Sequence, residues 1–192
     1  MTRSEKMRME ENESNTNLKF IVTNARSIKP KIHSVIDYFD ELDLSFAVIT
    51  ETWLKEGSDL TEMKDDLSSG HNIEMINRIR PLKTNGQIKI GGGVSILYNP
   101  DRIALKEMPM KVGKSEIVAA IGKALQCKQK IIIIGAYLPP KMKAQSSRAA
   151  MERVERAIMK IKTEFNNPII IYAGDFNKHN YKMILENLKT SL

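Results

Sequence analysis

One cysteine, Cys127, stands among 192 residues. No disulfide can close within the chain, so a scaffold held together by disulfides is excluded, and the single thiol points to a reducing, intracellular setting. No run approaches the ~18 consecutive apolar residues that a membrane-spanning helix needs. The longest apolar stretch, Ile131 to Leu138, has the length of a strand, and Gly135 interrupts it. The first 17 residues lack the apolar middle of a secretory signal and carry seven charges; they read as a disordered tail ahead of one domain over 18–192. Internal repeats and low-complexity segments are missing too.

What is present suits a soluble globular domain: 42% of residues are hydrophobic and 28% are charged, which excludes bulk disorder and collagen-like sequence. The formal net charge is +7, unevenly placed. Residues 1–75 hold 9 Lys/Arg against 15 Asp/Glu, and residues 76–192 hold 21 against 8. A basic half suits a polyanionic partner through phosphate attraction and counterion release. The plainer account is a solvated surface that keeps the protein soluble.

Periodicity sets out the elements. Leu18, Phe20 and Val22 alternate with Lys19, Ile21 and Thr23, which predicts a strand. Pro30 suits the first turn of a helix, and Ile32, Val35, Ile36, Phe39 and Leu42 continue it with a helical rhythm. Phe46 to Thr50 is a short apolar run and predicts a buried strand. Residues 55–72 are acidic and irregular and read as a surface loop. Further strands are expected over Ile73–Ile79, Val94–Tyr98, Ile117–Ile121, Lys130–Tyr137 and Ile169–Ala173. Met151, Val154, Ile158, Ile161 and Phe165 mark one face of a second helix, and a short helix is expected over Tyr181–Leu188. Seven strands, often consecutive, with two good helices fit an α+β, sheet-on-sheet core with outer helices better than a doubly wound parallel sheet.

Polar residues gather at the C-terminal ends of these strands: Asn24, Glu51, and Asp175 with Asn177. Loops at strand ends are where a rigid scaffold presents reactive groups. Two carboxylates there could hold Mg²⁺, a hard cation that prefers carboxylate oxygen, and the amides would add donors and neutral acceptors. Taken singly, each is equally a cap or turn residue. Taken in order, Asn24-Ala25-Arg26-Ser27, Thr50-Glu51-Thr52-Trp53-Leu54, Gly91-Gly92-Gly93-Val94, Gly135-Ala136-Tyr137-Leu138-Pro139 and Gly174-Asp175-Phe176-Asn177 resemble the exonuclease–endonuclease–phosphatase superfamily. The wording is most similar to the endonuclease domains of LINE-type retrotransposons, over roughly residues 18–180.

The resemblance implies a four-layer α-β-β-α sandwich of the DNase-like kind and metal-dependent hydrolysis of DNA phosphodiester bonds. It makes Glu51 the ligand of a catalytic Mg²⁺ or Mn²⁺, with Asn24 beside the metal. Tyr137 and Asn177 would contact the scissile phosphate, and Asp175 would orient or deprotonate the attacking water. DNA is the implied partner, with no membrane involved and a nuclear location if the chain acts on DNA. Arg78 and Arg80, in a stretch to Lys89 that has four basic residues and no acidic one, are the candidates for DNA phosphates. An Asp-His pair that the family carries after its last motif has no counterpart before Leu192. Part of the second sheet is therefore expected to be missing and cleavage to be weak. Two other readings follow: a remnant that binds nucleic acid or protein without catalysis, and a phosphatase acting on a small phosphorylated substrate or lipid head group. His179 reads as a loop residue, Trp53 as a loop anchor, and the glycine triplet as backbone freedom at a strand start.

Overall fold

The segment Phe46–Thr50 (β2) is buried along its whole length, and a strand buried on both faces needs packing on both sides. In the computed structural model, which describes residues 18–79, 91–110, 115–124 and 129–179, that demand is met by four layers. The first sheet has the order β1-β2-β4-β3, with β1 at Phe20–Asn24, β3 at Glu74–Arg78 and β4 at Val94–Tyr98. The second runs β5-β6-β7-β8, comprising Ile103–Glu107, Glu116–Ala124, Ile131–Tyr137 and Ile169–Asp175.

Strand alternation sends each half of the apolar residues to a different layer. Phe46 and Val48 face inward and meet Ile96, Val118, Ile131, Ile133 and Tyr137 between the sheets. Ala47 and Ile49 face outward and meet Val35, Ile36 and Phe39 of helix α1 (Ile32–Leu42), together with Met63 and Leu67 of helix α2 (Ser58–Ser68). On the far side, Ile132, Ile134 and Ala136 pack against Met151, Val154, Ile158 and Ile161 of helix α3 (Ala144–Glu164). The expected α-β-β-α sandwich is the fold found.

Two differences from the sequence expectation stand out. Residues 58–68 form a helix where a loop was expected, because Met63 and Leu67, one turn apart, supply a stripe too narrow to show among acidic neighbours. Strand β5 adds an eighth strand among the described residues. Only Ile103 of its five residues is fully buried, so its alternation is weak. The N-terminal tail, Arg80, Cys127 and the helix expected over 181–188 lie outside the described residues.

The connections decide where the chemistry goes. β1 and β2 are parallel and joined through α1, while β7 and β8 are parallel and joined through α3. A parallel pair needs a crossover, and it brings both C-terminal strand ends to the same side. β1 and β2 lie across the sandwich from β8 and β7, so four C-terminal ends meet at one end of the molecule.

Candidate active site

Each of those strand ends carries one polar side chain. Asn24 closes β1, Glu51 follows β2, Tyr137 closes β7 and Asp175 closes β8. The Asn24 amide nitrogen donates to Glu51 Oε1 at 3.1 Å and to Asp175 Oδ2 at 2.9 Å. One NH₂ group thus uses both hydrogens to bridge two carboxylates from different sheets. The Tyr137 hydroxyl donates to the same Glu51 Oε1 at 2.9 Å. Asp175 is held at its other oxygen, where Oδ1 accepts from the Asn177 backbone N–H at 3.0 Å. Asn177 spends its side-chain nitrogen on the Leu138 carbonyl at 2.9 Å, tying the exit of β8 to that of β7. A cleft of about 440 Å³ opens beside the cluster on the side of Asn24 and Asp175, lined also by Thr50, Phe176 and Asn177 but by neither Glu51 nor Tyr137.

The loop that carries Glu51 is fastened on both sides. Ser27 and Ile28 N–H groups donate to the Glu51 and Thr52 carbonyls, and the Thr52 and Trp53 N–H groups donate to Gly93 and Gly92. These bonds hold Glu51 and Trp53 at φ +52 and +56. That left-handed region is uncommon for residues with a Cβ and persists where the surroundings over-determine it. Asn177, at φ +49, is held the same way at the turn after β8.

Burial works against the charged form of the Glu51 carboxyl. Hydrogen bonds from Asn24, Tyr137 and the Trp53 side chain, with the Arg26 charge nearby, outweigh burial and hold it below its ordinary value of 4.5. The bonds from Asn24 and Tyr137 both fall on Oε1. A carboxylate held in its charged form, with a second carboxylate one amide away, fits a hydrated Mg²⁺ or Mn²⁺. Such ions take one or two protein carboxylates and keep several waters. Among the described residues no three His, Cys, Asp or Glu side chains converge, so the donor set does not make an all-protein cage.

The remaining sequence candidates fall as follows. Arg78 ends β3 opposite Val94, the first residue of β4, and Val94 in turn pairs with Thr50. Its backbone is therefore at the same end of the sandwich as Glu51. Arg80 lies outside the described residues. Trp53 is 39% exposed and bonded through its side chain to Glu51. His179 donates from Nε2 to the Pro139 carbonyl at 2.9 Å, which fixes the turn after β8. A larger groove of about 750 Å³ runs beneath α3, past Met108, Ile161 and Phe165. None of the clustered polar residues lines it. Sequence reasoning did not find Glu116, a buried carboxylate in β6; an acidic residue at a strand start reads as surface until the strand is placed.

No family model and no curated protein matches the chain in sequence. Solved structures do match it in shape. An endonuclease/exonuclease/phosphatase family protein from Bacteroides thetaiotaomicron superposes with a TM-score of 0.61 at 13% identity, covering 84% of this chain and 61% of that one. The endonuclease domain of TRAS1, a telomere-specific non-LTR retrotransposon, gives 0.56 at 12% identity over 88% and 70%. An AP endonuclease from Archaeoglobus fulgidus gives 0.56 at 17% identity over 88% and 70%. The chain spans between about three fifths and seven tenths of the length of these three proteins. The described architecture is the DNase-like fold of endonucleases, exonucleases and phosphatases.

Proposed function

We propose that this chain is a retrotransposon-type endonuclease domain that hydrolyses DNA phosphodiester bonds with a divalent metal ion. The observation that carries this reading is the single Asn24 amide bridging Glu51 and Asp175 beside the cleft. Two carboxylates this close repel and compete for protons unless neutral donors favour their charged forms, and Asn24 and Tyr137 are such donors. Glu51 would hold Mg²⁺ or Mn²⁺, which when bound stabilises charge developing on the phosphoryl oxygens. Asp175 is fixed at both oxygens by Asn24 and the Asn177 N–H. It would accept the proton of a water that attacks phosphorus, the ordinary task of a general base. Tyr137 and Asn24 orient Glu51, and Asn177, whose side-chain nitrogen has a second hydrogen beyond its bond to the Leu138 carbonyl, would offer a neutral donor to a phosphate oxygen. Arg78, at the same end of the sandwich, and Arg80 supply cations for the flanking backbone.

A second reading is nucleic-acid binding without cleavage. It is favoured by His179, the histidine nearest the cluster in sequence, whose ring is engaged by the Pro139 carbonyl. Plasmid nicking by the purified chain separates the two. The expected result is weak Mg²⁺-dependent conversion of supercoiled to open-circular DNA that Glu51→Gln and Asp175→Asn both abolish. DNA retention with no nicking above those variants would overturn the hydrolase and leave the binding module. Phosphate release from a small phosphomonoester, with no action on plasmid, would point to a phosphatase instead.

A further inference from the structure

Glu116 is a carboxylate at 5% exposure, and the hydrolytic reading gives it no task. A buried carboxylate is costly to desolvate unless it is hydrogen-bonded. Here Oε2 accepts from the backbone N–H of Gly93 at 2.6 Å, a short charge-assisted bond that crosses from the second sheet to the first. Gly93 is also the residue on whose carbonyl the Thr52 N–H rests, next to Gly92, which takes the Trp53 N–H. The contact is tight: a Cβ on Gly93, which sits at φ +88, would run into the Thr52 hydroxyl. In β6 and β7, Glu116 stands directly opposite Tyr137. Facing residues of neighbouring strands point to the same side of the sheet, so two adjacent side chains of the second sheet grip one loop of the first. Tyr137 holds its carboxylate, and Glu116 holds the glycine strip against which its backbone lies.

We infer that Glu116 is a positioning residue for Glu51: it anchors the Gly92–Gly93 strip and so fixes the left-handed turn that aims the Glu51 carboxylate. Without an acceptor for its N–H, Gly93 is free to shift, and the Thr52 and Trp53 bonds shift with it. The metal part of this inference rests on the hydrolase reading, whereas the loop geometry does not.

The test uses the full chain and two replacements of similar volume. Glu116→Gln keeps an oxygen acceptor for the Gly93 N–H, and Glu116→Met fills the space without one. Trp53 is the only tryptophan, so its fluorescence and its quenching by acrylamide report on this loop. Mn²⁺ binding, read by paramagnetic resonance, reports on the Glu51 carboxylate. E116M is expected to shift Trp53 emission, raise its quenching and weaken Mn²⁺ binding about 10–100-fold, the usual effect of losing a residue that orients a metal ligand. E116Q is expected to stay near wild type in both. If E116M does not fold, Glu116→Asp, which withdraws the acceptor by one methylene, is read in its place with the same expectation. Wild-type Trp53 quenching in E116M or E116D would overturn the inference, as would an E116Q as impaired as E116M. Failure of the wild type itself to bind Mn²⁺ would overturn the hydrolase reading, while the Trp53 measurement would still decide the role of Glu116.

Discussion

Glu51 concentrates the residue-scale physics of the site. Its carboxyl is held below 4.5 because donors to the ionised form outweigh burial. A depressed carboxyl contributes its stability in full above the unfolded value and loses it as pH falls through the folded one. The melting temperature of the wild type should therefore exceed that of Glu51→Gln at neutral pH, and the gap should close below about pH 4.5. A gap that widened on acidification would contradict the hydrogen-bond assignment. Tyr137→Phe isolates one of those donors. The ring, buried between the sheets, stays in place, so the fold should lose only about 1.5–3 kcal/mol, the usual worth of a hydrogen bond to a charged group. The Glu51 titration, followed by carboxyl NMR, should move up, and nicking should fall, with ~10²-fold as the scale for a lost donor at a charged site.

At the scale of elements, the crossover units place the site, and glycine lets β8 come close enough to β7. Gly174 sits at φ +144 in register with Ala136, and a Cβ there would collide with the Ala136 carbonyl. Gly174→Ala should push β8 away from β7 at a cost of about 1–3 kcal/mol in denaturant unfolding, the usual toll of overpacking. Nicking should fall with it, because Asp175 is the next residue. Gly70 is the control. It also has positive φ, at +83, but a Cβ there meets nothing within 4 Å. Gly70→Ala should cost roughly 1 kcal/mol from backbone strain alone and leave nicking unchanged. Equal losses of activity in the two variants would show that close packing of β8 does not set the position of Asp175.

For the whole molecule the governing quantity is charge. An excess of 13 cations over residues 76–192, with Arg78 at the end that bears the carboxylates, favours a polyanion bound with little regard to sequence. Contact with ~4 duplex phosphates would give a slope of about −3.6 for log K against log salt, and removing two of those contacts should flatten it by roughly 1.8. Filter binding of the wild type and an Arg78→Ala/Arg80→Ala variant across a salt series measures this directly. An affinity indifferent to salt would reduce the basic half to a solubilising surface.

The sequence by itself determined the strands whose apolar pattern is strong. Phe46–Thr50 and Ile131–Tyr137 are legible because both of their faces are buried, and the stripe of α3 because its apolar residues recur on one side. It also determined which residue types stand at the strand ends, since Asn24, Glu51 and Asp175 each come one residue after an apolar run and Asn177 two residues after Asp175. It hid α2, whose two buried residues are outnumbered by acidic ones, and β5, which buries only Ile103 fully. Tertiary structure alone decided what those residues do to one another. Asn24 and Asp175 are separated by 151 positions, and no local pattern says that one amide will bridge Asp175 and Glu51. Two parallel crossovers must first stack face to face and bring four strand ends together. The buried Glu116 has the same cause: whether a carboxylate at a strand start meets water or a glycine N–H depends on which sheet closes over it.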